Sequence, residues 1–361
     1  MRYEFSYVLL LLLLLASCTV VPATNIKIGV LLPLTGDFST IGNSNRAAIN
    51  LAQNNSDEQL FFEDDSCDAK KAITAFQKLV QVDHVDAIVG PLCTSVLPAL
   101  LPNVKQAGIP LVLPITDHLY FVNDLNTTEY DNLTLGLLPR SDLVWQEHAR
   151  IAFSISKSIA IVQTTGVATR RNVNLFLKMY EELGGRTIVH EEVEPRTKDY
   201  RTLLLKLDSL GAPLVWPHLG TEDRIEFYKQ LRELGVLQNA TILGDLYIEV
   251  ELPKYLAILG QTLNGTLSTN YASTMTASFR ERMVAQGVQP LLGADNSYDA
   301  IRLLINAEKK CQNQKACIIP LLKQTSEDGA SGKIQFDNDG NRIGTAITRA
   351  LVGNSFVKME S

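Results

Sequence analysis

After its first eighteen residues, this 361-residue chain has no apolar run long enough to cross a bilayer, which takes roughly 20 consecutive residues. No membrane-spanning helix is therefore expected in the body of the protein. Basic clusters are missing as well. Lys and Arg number 33 against 39 Asp and Glu, and the net charge of −6 argues against nucleic acid as a partner. Histidine is scarce: the five residues, at 84, 118, 148, 190 and 218, show no metal-ligand spacing, and neither Cys-x-x-Cys nor His-Glu-x-x-His occurs. There is no Gly-x-Ser-x-Gly elbow and no phosphate loop. These absences point away from an enzyme and toward a binder, with no metal and no cofactor. No low-complexity tract interrupts the chain.

What is present begins at the start. Val8 to Leu15 is unbroken apolar sequence, followed by Ala16-Ser17-Cys18. A run of about ten apolar residues suits the core of an export signal better than a spanning helix. The charge before it is weak, because Glu4 offsets Arg2. Leu15-Ala16-Ser17-Cys18 resembles the lipobox of bacterial lipoproteins. That resemblance implies removal of residues 1–17, a lipid on Cys18, a tether over 18–24, and work at the periplasm or cell surface on a membrane anchor. An ordinary cleaved signal is the alternative. With Cys18 set aside, four cysteines remain. In an oxidising compartment two disulfides, Cys67–Cys93 and Cys311–Cys317, would use all four. Buried thiols are the alternative.

About 340 residues then remain, enough for two packed domains. Apolar strand-like runs alternate with amphipathic helical stretches. Strands are expected at 26–32, 60–64, 86–90 and 110–113, with helices over 43–54, 69–80 and 95–107 between them. A second series follows: strands at 158–162, 186–191, 214–216 and 240–243, and helices over 172–183, 199–210 and 223–234. Such alternation means βαβ units and parallel sheets. The expected fold class is α/β, with two doubly wound parallel-sheet lobes. The chain is expected to cross between them near Pro139-Arg140-Ser141 and again over Leu263–Tyr271. Neither lobe opens with a dinucleotide fingerprint.

Open α/β sheets bind ligands beyond the carboxyl ends of their strands. Three loops qualify: 34–42, 90–95 and 114–117. Each ends near a helix start, where unpaired N–H groups suit a carboxylate. Thr94, Ser95 and Thr116 add hydroxyls. Plain helix capping is the alternative for any one of them.

Several segments match a known pattern: Ile26 to Gly36, Asp64-Asp65-Ser66-Cys67-Asp68, Gly90 to Ser95, Gly108-Ile109-Pro110, Pro114-Ile115-Thr116, Tyr298-Asp299-Ala300 and Gly332 to Asp337. In these the chain resembles the type I periplasmic substrate-binding proteins of ABC transporters, most of all the leucine/isoleucine/valine-binding branch. The resemblance implies two lobes joined by three crossovers, with lobe 1 at 25–139 plus 271–335 and lobe 2 at 140–270 plus 336–361. A small polar ligand such as an amino acid would bind between them and pass to an ABC permease. A sensor of the same fold, reporting to a signalling partner, is the alternative. The family's disulfide corresponds to Cys67–Cys93. Carried over by position, Thr94 and Thr116 would donate hydroxyls to an α-carboxylate, with the Leu92 and Ile115 backbones facing the ligand. Asp245 would pair with the ammonium, and Ile41 replaces an aromatic that packs on the ligand. The second lobe departs from the pattern. Gln163 to Arg170 contains no aromatic, nor does Pro217-His218-Leu219-Gly220-Thr221. Arg170 and His218 are candidates to face the cleft and favour an anion. A solvated role is the alternative for Arg170.

Overall fold

The computed structural model describes residues 26–53, 58–116, 132–271, 275–312, 314–337 and 341–359. The expected export signal, Cys18 and the tether fall outside these residues, as does His118. No helix among the described residues is long and apolar enough to cross a membrane.

The first lobe begins with β1 (Lys27–Leu32), α1 (Ser39–Gln53), β2 (Gln59–Asp64), α2 (Ala69–Gln81), β3 (Ala87–Val89), α3 (Leu97–Ala107), β4 (Leu111–Leu113) and β5 (Thr134–Gly136). The five strands pair in parallel in the order β2-β1-β3-β4-β5. A parallel strand covered on both faces reads as continuous apolar sequence, and β1 shows why. Its Ile28, Val30 and Leu32 enter a core that also holds Ala300, Ile301 and Leu304. Leu31, on the opposite face, joins Phe76, Leu79 and Leu100. Each such side chain, fully buried, contributes roughly 1.5–3 kcal/mol. Helix α2 starts at Asp68, whose carboxylate accepts the N–H groups of Lys70 and Lys71, a cap worth about 1 kcal/mol.

The second lobe contains α4 (Ser141–Ile155), β6 (Ser158–Thr164), α5 (Val167–Glu182), β7 (Arg186–Val193), α6 (Arg201–Ser209), β8 (Leu214–His218), α7 (Thr221–Leu234) and β9 (Thr241–Ile242). Its parallel sheet runs β7-β6-β8-β9. Two short helices, α8 (Leu246–Val250) and α9 (Leu252–Leu259), precede β10 (Leu267–Tyr271).

From β10 the chain returns to the first lobe as α10 (Ala277–Ala285), α11 (Ala294–Cys311), α12 (Lys315–Leu322) and the hairpin β11 (Ser326–Gly329) and β12 (Gly332–Gln335). Helix α11 is locked to α1 by polar contacts. Ser297 Oγ donates to Asn45 Oδ1 at 2.6 Å, and Asn45 Nδ2 donates to the Leu292 carbonyl at 2.9 Å. The chain then goes back to the second lobe as β13 (Ala346–Val352) and β14 (Ser355–Lys358). There β13 lies antiparallel to β10, from Tyr271 opposite Ala346 to Leu267 opposite Ala350. Two crossing segments touch, since Pro139 bridges Arg342 and the Arg342 guanidinium donates to the Leu137 carbonyl at 2.7 Å.

The fold is thus two doubly wound α/β lobes joined by three crossings, each lobe with its own parallel sheet. The second lobe adds a separate sheet beside its parallel one. Its β10, β13 and β14 form an antiparallel sheet because the chain leaves and re-enters beside itself. In the segment expected to cross back, 263–271, a 3₁₀ turn over Gly260–Leu263 is followed by the strand from Leu267. Both disulfides are formed, with Cα separations of 5.5 Å for Cys67–Cys93 and 5.7 Å for Cys311–Cys317, ordinary for such bridges.

Candidate functional site

A cavity of about 440 Å³ opens between the lobes, inside the range of about 300–1,000 Å³ usual for small-molecule sites. The loop after β3 forms one wall. It begins at Gly90, whose φ of +106° puts the backbone against Leu31. A Cβ there would collide with the Leu31 carbonyl oxygen, so glycine alone permits the turn. Leu92 follows, then Cys93, which the disulfide ties to Cys67. Both cysteines line the cavity. Thr94 and Ser95 stand next, on the 3₁₀ turn Thr94–Val96 that leads into α3. First-turn N–H groups lack intrahelical acceptors. Neither hydroxyl has a hydrogen-bond partner among the described residues.

The loop after β1 supplies Phe38, and the first turn of α1 supplies Ile41. Asp64 fixes that loop by accepting the N–H of Leu34 at 2.8 Å and the hydroxyl of Thr35. Burial pushes this carboxyl up. Hydrogen bonds from Thr35, Ser66 and Leu34 outweigh that and hold its pKa at about 2. Ile115 and Leu292 complete the first-lobe surface.

On the second lobe, α4 presents Trp145. Its ring is almost fully buried, and its indole N–H has no partner among the described residues. Leu246, Tyr247 and Glu251 come from α8 and the joint before α9. A buried network holds that segment in place. Asp245 Oδ2 accepts from His218 Nδ1 and from the Arg224 guanidinium, each at 2.8 Å, while its Oδ1 accepts the Tyr247 N–H at 3.1 Å. Burial would raise the Asp245 pKa, but the Arg224 charge and the His218 hydrogen bond hold it at about 2. Behind it, burial drives the His148 imidazole down to about 3, so this ring is neutral at physiological pH.

Glu251 differs from these satisfied groups. It lines the cavity, and its Oε2 is buried without a partner among the described residues. A buried carboxylate oxygen left alone is costly. The arrangement is an apolar chamber with hydroxyls on one lobe and a carboxylate on the other.

The chain matches the profile of the periplasmic binding protein family over residues 25–352. It belongs to the periplasmic binding protein family. Within it, the chain falls in the type I, leucine/isoleucine/valine-binding branch. A Leu/Ile/Val-binding protein homolog of Brucella melitensis is 27% identical over 258 residues, covering 68% of this chain and 67% of that one. The fold is shared with a leucine-binding protein of Thermotoga maritima, at a TM-score of 0.78 and 20% identity over 93% of this chain and 98% of that one. It is shared also with a solute-binding protein of R. palustris solved with benzoate, at a TM-score of 0.77 and 16% identity over 93% and 96%. Periplasmic binding proteins are solute binders that work outside the cytoplasm, and this one is not an enzyme.

Of the residues expected at the cleft of this periplasmic binding protein, Ile41, Leu92, Thr94, Ser95 and Ile115 line the cavity. Four others do not. Thr116 is fully buried and donates its hydroxyl to the Pro91 carbonyl at 2.8 Å, tying the loop after β4 to the loop after β3. Arg170 forms a two-pronged ion pair with Glu192 on the exposed surface of the second lobe. His218 is paired with Asp245, and Asp245 with both His218 and Arg224. Carry-over by position missed Trp145, Tyr247, Glu251 and Phe38. Phe38 restores a first-lobe aromatic near Ile41. Tyr247 and Trp145 are aromatics of the second lobe at this cavity. One signal was available: Trp145 stands four residues after the crossover segment 139–141.

Proposed function

We propose that this protein captures an amino acid, or a closely similar amphipathic acid, between its lobes and hands it to an ABC permease. The observation carrying this reading is the unpartnered Glu251 carboxylate across an apolar chamber from the Thr94 and Ser95 hydroxyls. The ligand carboxylate would sit at Thr94 and Ser95, and its ammonium at Glu251. Hinge bending between lobe 1 (25–139 and 271–335) and lobe 2 (140–270 and 336–361) would close over it, because such a ligand touches both lobes. The naming of the Brucella and Thermotoga relatives supports the amino-acid class.

Calorimetric titration against a panel of amino acids tests the reading. At least one should bind, and Glu251→Gln should weaken it roughly 10–100-fold, the scale of a charge-assisted hydrogen bond. Trp145 provides a second readout, a change in its fluorescence on binding. An aromatic carboxylic acid is the second reading, favoured by the walls of Trp145, Tyr247 and Phe38 and by the benzoate complex of the R. palustris protein. Benzoate lacks an ammonium, so Glu251→Gln would then strengthen binding.

The lipid anchor at Cys18 is part of the same proposal. Cys18→Ala should move the protein to the soluble fraction on cell fractionation with ligand affinity unchanged. A variant that stays on the membrane would place the anchor elsewhere.

A further inference from the structure

A second cavity, of about 690 Å³, adjoins the ligand chamber. The two share Ile115, Leu138, Asn270, Tyr271 and Leu292 as a common wall. The second is the more polar of the two. The first is apolar apart from its few polar groups. The second is lined by four cations, Arg280, Lys333, Arg342 and Arg349, against two carboxylates, Glu249 and Asp295.

These cations are not all balanced. Arg349 is paired with Glu249 at 2.9 Å. Arg342 is buried and gives its hydrogens to the carbonyls of Leu137, Ser331 and Lys333 and to Asn296 Oδ1. Those acceptors are neutral, and the carboxylates of Asp299 and Asp295 nearby offset part of its charge. Arg280 and Lys333 are exposed at the mouth, with no ion-pair partner among the described residues. An excess of one sign in a concave, partly dry space draws the opposite charge. Arg280 and Lys333 belong to the first lobe, Arg349 to the second, so an anion among them also spans the cleft.

We infer that the two chambers form one site, and that its preferred ligand is an α-amino acid whose side chain ends in a carboxylate. The head group occupies the first chamber, the apolar part of the side chain passes the shared wall, and the terminal carboxylate reaches Arg280 and Lys333. This rests on the amino-acid reading above and narrows it.

The test is a calorimetric series: norleucine, glutamate, 2-aminoadipate, 2-aminopimelate and 2-aminosuberate. Affinity should rise with length through the dicarboxylates, and the best should exceed norleucine by about tenfold, the effect of one good charged hydrogen bond. The double variant Arg280→Ala with Lys333→Ala should erase that excess and leave norleucine binding unchanged. Both side chains are exposed, so the fold tolerates their removal. Norleucine binding with no excess for the longer acids, or an excess that survives in the double variant, overturns this inference alone. Acetate binding to the norleucine-loaded protein, lost in the double variant, also overturns it, because the second chamber is then a separate anion site. Failure of every amino acid to bind refutes the amino-acid reading and this inference with it.

Discussion

Asp245 and Glu251 stand in one short run of sequence, and burial gives them different work. Asp245 is enclosed with a guanidinium and an imidazole, while Glu251 keeps an unpartnered oxygen at the chamber. Only the second has anything left to offer a ligand. Which of two nearby carboxylates meets the cavity depends on partners brought from β8 and α7, so the linear sequence could not decide between them. Asp65 makes a different point. It is fully buried, and burial raises its carboxyl to about 6, with repulsion from Asp64 adding to the rise and a hydrogen bond from the Cys67 N–H at 2.9 Å opposing it. A folded-state value above the unfolded one, about 4, means that the folded protein holds this proton more tightly. Stability therefore falls as pH rises from about 4 to about 6, and the loss is complete above that. Asp65→Asn keeps the acceptor for Cys67 and removes the charge. It should stabilise the protein by about 1–3 kcal/mol at pH 7 and by nothing at pH 4, measured by thermal unfolding. An equal gain at both pH values would mean that the charge is not the cause.

At the scale of elements, the opening βαβ units of the first lobe were legible because β1, β3 and β4 are continuous apolar runs and α2 has a clear stripe. Helix α2 occupies Ala69–Gln81 where 69–80 was expected, and β1 occupies Lys27–Leu32 within the expected 26–32. Less legible were α8 and α9, which are too short to show a period, and the pairing of β10 with β13 across a long stretch of chain. The α8 segment carries Leu246, Tyr247 and, at its end, Glu251, and Asp245 holds its first turn. Asp245→Asn should therefore act in two ways. It leaves Arg224 as a buried cation with no carboxylate, which costs about 3–5 kcal/mol at pH 7. It also loosens the wall that bears Tyr247 and Glu251, so ligand affinity falls. The folded pKa of about 2 lies below the unfolded value, so the wild-type advantage is present above about pH 4 and is lost as pH falls toward 2. Urea unfolding across that range should show the two proteins converge in acid. A constant difference would assign the loss to packing rather than charge.

For the molecule as a whole, two lobes and a cleft followed from the repeated βαβ pattern, and the cleft's first-lobe wall followed from the loops after β1, β3 and β4. The opposite wall did not, because it is assembled from α4, α8 and β10, elements that no single motif links. Thr116 shows the limit of positional reasoning on the legible side too: it sits in the right loop, yet its hydroxyl is spent on Pro91. The account rests on one arrangement, a ligand held between hydroxyls of one lobe and the Glu251 carboxylate of the other. The most direct measurement is a crystal structure with the tightest-binding amino acid from the titration. The account predicts its ammonium at about 2.7–2.9 Å from a Glu251 carboxylate oxygen and its carboxylate on Thr94 and Ser95. Ligand density outside this chamber, or an ammonium with no contact to Glu251, would contradict it.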